Sequence, residues 1–404
     1  MPKPSPTPAA SPNRRPWRFL LVFALAYAGG TMGYLPLVAF LLPIKVAAIA
    51  GDARIGLFTA TALCGTLSAI LANLLFGWLS DRSVARGGGR RGWMVGGVLA
   101  TAAAYGLVLV ANTPVTLVVA VVIFQGAVNA ILAPMLAIMA DEIPDAQKGL
   151  VGGLLAFAYP LAAGLATIVV GMARHGEAAQ LAVIVLAVAI CVAPLVLTPA
   201  QPAPAPTEPP PPRSLTQHDL RIAWLARLLL QAAGNSLTLY LLYYFQSLEP
   251  NTPPLVLAGY AGHMLTLAYV LPLPFAILIG RLSDQLGRRK PFLLGSAVLT
   301  ALGLTLMALA SSRTAGAVGF VTYALGSEIF LALHAVFWMQ LLPSARHRGR
   351  DLGLLNLANT LPALVGPVLA YAFATPGDFG GLLSLLAALT LCGGLAMLAI
   401  RGRR

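Results

Sequence analysis

The sequence predicts an all-α membrane protein of about twelve transmembrane helices, arranged as two parallel six-helix repeats. Three observations predict it. Of 404 residues, 58% are hydrophobic and only 10% charged, with a mean hydropathy of +0.82, whereas soluble domains carry about 25% charged residues. Apolar runs of roughly 20 residues, the length that spans a hydrocarbon core of about 30 Å, recur from one end of the chain to the other. Finally, the chain resembles itself at a shift of about 200 residues.

In chain order the expected helices are 17–44, 54–79, 93–111, 115–140, 149–172, 179–198, 220–246, 255–280, 291–310, 315–342, 352–374 and 379–400. Each ends where Gly, Pro or charge interrupts the apolar run. Gly51-Asp52 separates the first from the second, and Asp81-Arg82 through Arg91 separates the second from the third. Asn112-Thr113-Pro114 opens the fourth, which closes on Asp141-Glu142. Arg174-His175-Gly176-Glu177 parts the fifth from the sixth. The Pro-rich stretch Thr198 to Pro212 then reads as semi-rigid, polyproline-like linker. Beyond it, Glu249-Pro250, Arg281 to Lys290, Ser311-Ser312-Arg313, Pro343 to Arg350 and Thr375 to Asp378 divide the remaining six helices. The resulting organisation is an N-tail 1–16, a six-helix bundle 17–198, a linker 199–219, a second bundle 220–400 and a basic C-tail 401–404.

The repeat has specific landmarks. Gly77-Trp78-Leu79-Ser80-Asp81-Arg82 returns as Gly280-Arg281-Leu282-Ser283-Asp284-Gln285, and Arg90-Arg91 returns as Arg288-Arg289-Lys290. Pro144 and Gly149 return as Pro343 and Gly349, and Pro160-x-x-x-Gly164 returns as Pro362-x-x-x-Gly366.

A formal net charge of +13 could mark a nucleic-acid binder, but its distribution excludes that. Of the 26 Lys and Arg, 21 fall in the two tails and in alternate gaps between helices. The opposite gaps hold only Lys45, Arg54, Arg174 and Arg313, and Arg227 lies inside a helix. Such alternation marks the cytoplasmic side of an inner-membrane protein, so both termini are expected there. An apolar run after a basic tail, with Ala24-Leu25-Ala26, imitates a cleaved signal peptide. The run continues to Leu42, long enough to span, so the helix reading stands. Cys64, Cys191 and Cys392 all fall in apolar runs, where a thiol behaves as a small hydrophobe; no disulfide is expected.

The loop Gly77-x-Leu79-Ser80-Asp81-Arg82-x-x-x-Arg86-x-x-x-Arg90-Arg91, with its second copy Gly280-Arg281-Leu282-Ser283-Asp284-x-x-Gly287-Arg288-Arg289, resembles the loop signature of the major facilitator superfamily. Within it, the long first copy and Asp351-Leu352-Gly353-Leu354-Leu355-Asn356 are similar to proton-coupled sugar symporters. The resemblance implies alternating-access transport of a small-molecule substrate, with a proton as coupling ion, no cofactor, no metal and a monomer in the lipid bilayer. The loop chemistry suits a gate. Gly77 and Gly280 would permit close helix approach. Asp81 would face the positive end of a helix starting near Leu352 in the other half, and Asp284 the one starting near Leu150. Asp141-Glu142 could pair with Arg82 or Arg90, whereas the tenth helix ends on Gln340 and offers no such anion.

The resemblance also implies that helices 1, 4, 7 and 10 line a central cavity near the midplane. Their polar residues are then the substrate candidates: Tyr27 and Tyr34, Gln125 and Asn129, Arg227, Gln231 and Asn235, and His334. The amides are spaced by four and so share a helix face; each could instead make an interhelical hydrogen bond. An ionisable group at a helix centre costs at least roughly 2.5–3.5 kcal/mol. Glu328 is the only acid clearly inside a helix, about 14 residues or roughly 21 Å from either end, too deep to snorkel. It is the candidate for proton coupling. The repeat aligns it with Asn129, while Arg227 reads as about 10 Å shallower along the membrane normal.

Two other functions compete with this reading. A proton-driven exporter of lipophilic compounds would be expected to carry Gly-Pro-x-x-Gly-Gly in the fifth helix, where the chain reads Ala158-Tyr159-Pro160-Leu161-Ala162-Ala163-Gly164. A non-transporting receptor or assembly factor would need neither the loops nor the polar helices. No phosphate-binding Gly-x-x-x-x-Gly-Lys-[Ser/Thr] loop and no His-Glu-x-x-His is present, so ATP-driven and hydrolytic chemistry are not indicated.

The charge pattern fixes a topology test. A cysteine introduced at Ser11 should be protected from an impermeant outside reagent and one at Glu249 labelled; the reverse result overturns the assignment.

Overall fold

The computed structural model describes residues 14–200, 217–341, 358 and 361–400. Fifteen α-helices are described: α1 Trp17–Met32, α2 Leu42–Ala50, α3 Arg54–Ala85, α4 Arg91–Val110, α5 Pro114–Glu142, α6 Asp145–Leu155, α7 Ala158–Gly171, α8 Glu177–Leu197, α9 Gln217–Leu248, α10 Pro254–Val270, α11 Pro272–Leu286, α12 Lys290–Ala308, α13 Arg313–Leu341, α14 Pro362–Phe373 and α15 Gly380–Ala396. No named strand occurs among the described residues.

The expected twelve passes map onto these helices with three of them split. The first is α1 and α2 joined by a π turn over Leu37–Leu41. Pro36 and Pro43 supply no N–H there, and the ladder shifts to a wider turn to pass them. The fifth breaks at Ala156-Phe157, ahead of Pro160, into α6 and α7, and the eighth breaks at Leu271 before Pro272, into α10 and α11. Of the eleventh, Ala358 and the residues from Leu361 onward are described, so its expected start near Leu352 lies outside the described residues. Nine stretches among the described residues are long and apolar enough to cross a membrane. The first of these, Trp17–Ala85, is interrupted at Gly51 (φ 54°) and holds two passes.

The sequence repeat is visible in the backbone. Gly87 and Gly287 take φ of 79° and 62° in the two equivalent loops. Both follow a helix whose Ser carbonyl accepts a closing bond: Gly88 N–H to Ser83 O at 2.9 Å, and Arg288 N–H to Ser283 O at 3.3 Å. Only glycine adopts this left-handed conformation without penalty.

Within each half, helices meet through small residues, as expected where lipid offers no hydrophobic drive for association. In the second half α12 and α13 touch backbone to backbone. A Cβ on Gly326 would sit 2.5 Å from Thr300 N and 2.7 Å from Ser296 O, and one on Gly319 2.7 Å from Met307 N. Gly303 abuts the Tyr323 amide in the same way. In the first half Gly97 of α4 stands in this role, its Cβ position 2.7 Å from Ile131. Gly77 and Gly280 do not. Among the described residues, a Cβ at either would meet nothing within 4 Å.

The two halves join along α3 with α14 and α7 with α10. Counted by position within each half, these are one contact made twice by the repeat, second helix against fifth. Gly262 of α10 lies against Thr167 of α7, its Cβ position 2.9 Å from the hydroxyl.

Gly326→Leu should therefore prevent α12 and α13 from closing and cost more than about 3 kcal/mol, seen as a lower Tm or loss of monodisperse protein. Gly259→Ala, where a Cβ meets nothing within 4 Å, should leave the melting curve unchanged.

Candidate functional site

Three polar assemblies are organised along the bundle axis. At the end carrying Gly51, the halves are sealed by a buried aromatic lock. Tyr240 and Tyr243 of α9 present their rings edge-on to Phe58 of α3, with centroids 5.1 and 5.5 Å away. The Tyr240 hydroxyl shares a 2.6 Å hydrogen bond with Thr59 Oγ1, and Tyr243 donates to Pro43 O at 2.8 Å. Phe58, Thr59, Tyr240 and Tyr243 are all buried. The Arg54 guanidinium sits 5.7 Å over the Tyr243 ring and reaches Pro376 O at 3.5 Å.

In the middle lies a seam of tyrosines from both halves. Tyr34 donates to the Tyr159 hydroxyl at 2.9 Å, and the Tyr159 ring stands 5.4 Å from Tyr269 of α10. Tyr269 and Tyr323 of α13 are both within electrostatic reach of Glu328, which is half-buried. Tyr27 is also half-buried near Tyr159. On α9, Arg227, Gln231 and Asn235 are half-buried, and a Cβ on Gly234 would lie 3.3 Å from the Tyr323 hydroxyl and 3.7 Å from Gln231 Oε1. Arg227 and Glu328 act on one another electrostatically. The two stand on helices that pack against each other, α9 and α13.

At the arginine-rich end a charge network braces the first half. Arg90 binds Asp81 Oδ1 and Asp141 Oδ2, each at 2.6 Å, and donates to Ser80 Oγ at 2.9 Å. Partial burial works against its charge, but the bonds to Asp81 and Asp141 outweigh that and hold its pKa above the ordinary value. Arg91 grips Glu142 with two bonds of 2.8 and 3.0 Å. Arg15 meets the same carboxylate at 2.9 Å and the Glu142 carbonyl at 2.8 Å. Gln147 clamps the Arg15 backbone, accepting from its N–H at 2.8 Å and donating to its carbonyl at 3.0 Å. Burial, with Arg91 close by, lowers the Arg15 pKa in spite of Glu142.

Several expectations change. Of the two arginines offered to the Asp141-Glu142 pair, Arg90 takes Asp141, whereas Arg82 lies 5.3 Å over the Trp78 ring. Asp81, 66% exposed, is bound within its own half; the helix start near Leu352 and the side chains of Asp284 and Gln340 lie outside the described residues. Arg288 is exposed and Arg289 half-buried. Asn129 is buried, accepting from Asn73 Nδ2 at 3.3 Å and donating to Gln125 O at 2.9 Å. Gln125 runs along the same contact, 3.3 Å from the Cβ position of Gly65. The amides of α5 thus serve the α3 interface, because a polar group between helices needs an internal partner. His334 is likewise buried outright, its Nε2 donating to Ala223 O at 2.9 Å, and it stacks on Phe330. Tyr159, Tyr269, Tyr323 and the lock residues were not expected; the only sequence signal for them is the density of aromatics around Tyr240 to Phe245.

The sequence profile described as Major Facilitator Superfamily matches residues 19–261 and 255–404. Solved structures of similar fold include a peptide transporter, POT, with TM-score 0.71, 14% identity and 96% of each chain covered. The nucleoside transporter NupG matches with TM-score 0.69 and 14% identity over 96% of this chain and 100% of that one. A D-xylose–proton symporter matches with TM-score 0.69 and 15% identity over 96% and 99%. No curated protein matches.

Removing a carboxylate between two buried guanidiniums leaves like charges facing each other. Glu142→Gln should cost about 3 kcal/mol, read as a drop in Tm. Asp141→Asn, whose side chain is half exposed, should cost no more than about 1 kcal/mol.

Proposed function

The chain belongs to the major facilitator superfamily, and on that premise we propose that it moves a small organic solute across the inner membrane by proton-coupled symport. It is a multi-pass membrane transporter; the coupling and the solute class are the proposal. One observation carries it: Glu328, half-buried in the seam between the halves and within reach of Arg227, Tyr269 and Tyr323. A carboxyl there can hold or release a proton as the seam opens and closes, and Arg227 stabilises the released form.

The geometry supports an alternating cycle. Among the described residues, the contacts between halves gather toward the aromatic lock, while the Asp81–Arg90–Asp141 network stays within the first half. This reads as a conformation closed at the Gly51 end. In the opposite conformation the lock would part, and Asp81 would exchange Arg90 for the helix of the second half. Such a switch needs differential contacts in the two states, and the lock and the loop network supply one set each. By the charge pattern, the arginine-rich end is cytoplasmic.

The solutes transported by the proteins of similar fold, D-xylose, nucleosides and peptides, set the first screen. A ligand that binds the folded state raises its Tm, and the one that does so becomes the uptake substrate. With it, Glu328→Gln should abolish accumulation against a gradient while retaining exchange of labelled for unlabelled solute. Proton-driven accumulation in Glu328→Gln with an unchanged pH profile would overturn the coupling role.

A further inference from the structure

The start of α1 and the end of α8 border a cleft of about 230 Å³ at the arginine-rich end, lined by Arg15, Arg18, Phe19, Val22, Thr198 and Pro199 together with Pro16. None of these residues belongs to the seam or to the aromatic lock. We infer that this cleft is a binding site for an anionic phospholipid, its phosphate held by the arginines and its first chain methylenes laid against Phe19 and Val22.

The cleft is built, and its chemistry is lopsided. Arg15 is fixed before any ligand arrives: its side chain is 9% accessible, bonded to Glu142 at 2.9 Å, and its guanidinium lies 4.5 Å over the Phe19 ring. Its backbone is clamped by Gln147. Behind it, Arg91 holds Leu195 O at 3.1 Å and Pro199 O at 3.4 Å, which fixes the opposite wall. Glu142 lies between the buried guanidiniums of Arg15 and Arg91. Arg14 and Arg18 are exposed at the start of α1, and Arg18 reaches the cleft. Trp17 at the first turn of α1 is 67% exposed, the position of an aromatic anchor at the membrane interface. A cleft with an apolar lining and the exposed Arg18 at its border fits a lipid and not a soluble metabolite, because the apolar wall would gain nothing from a free phosphate. Basic pockets between helices at this depth bind acidic headgroups.

Native mass spectrometry and thermal unfolding of the full chain in detergent test this, with phosphatidylglycerol, phosphatidylcholine and glycerol 3-phosphate as the probes. Phosphatidylglycerol should be retained and should raise Tm, and the other two should do neither. Arg18→Ala, at an exposed position that does not brace the fold, should weaken phosphatidylglycerol retention about fivefold, the factor carried by one arginine near a charged surface; Arg18→Lys should restore most of it. Equal retention of the two lipids, or no change in Arg18→Ala, would overturn the site. Stabilisation by glycerol 3-phosphate alone would assign the cleft to a soluble phosphate instead.

Discussion

Inside a bilayer no water is available to satisfy a backbone N–H or C=O, so each must be paired within its helix or against protein. The architecture of this chain follows from how it meets that demand. Prolines remove donors, yet Pro134, Pro194 and Pro367 sit inside continuous helices. The three helices that divide each carry a second weakening residue near the proline, Gly33 ahead of Pro36, Gly152-Gly153 ahead of Pro160 and Pro274 beside Pro272, although Gly366 beside Pro367 leaves α14 whole. Side chains obey the same demand. Ser68, Thr167, Ser236, Ser296 and Thr300 all return their hydroxyl protons to backbone carbonyls, which lets polar residues occupy helix contacts and lets those helices pack closely.

Charge is then confined to the two ends and to one place between them. The Gly51 end uses few charges, among them Lys45 with Glu177 and Arg313 with Glu249, and seals itself with aromatic rings. The other end is rich in arginine and ties its first half together through Asp81, Asp141 and Glu142. Between them, Glu328 and Arg227 are an acid and a base held in the seam where the halves meet. That separation sets the ionisable pair of the middle apart from the residues that brace the two ends.

Much of the fold was legible from the sequence because its signals are long and redundant. Apolar runs of bilayer length, a glycine in the same loop of both halves, and alternating arginine-rich gaps each report the same architecture. Glu328 was legible because an acid so deep in a helix is rare. The amides misled. Gln125 and Asn129 share a helix face as their spacing requires, but spacing does not say which neighbour that face meets, and it is α3. His334 likewise turns toward Ala223 of α9, a partner that its spacing does not name. The tyrosines of the seam were invisible because an aromatic in an apolar helix looks the same whether it faces lipid, core or cavity. Arg15 looked like one more basic residue of a tail; its contact with Glu142 bridges 127 positions, beyond any local pattern.

The breaks at Ala156-Phe157 and Leu271 carry a mechanical consequence. On one side of each break, α7 and α10 are packed together across the two halves, with Gly262 seated on Thr167. On the other side, α6 and α11 run toward the arginine-rich end as separate pieces. A helix with an intact ladder resists bending along its whole length, whereas one already missing a bond flexes at that point with little added strain. The two halves need not swing as rigid levers about the lock. The inner pieces can bend like a pair of jointed fingers while their bases stay clasped, each joint lying at a proline-associated break.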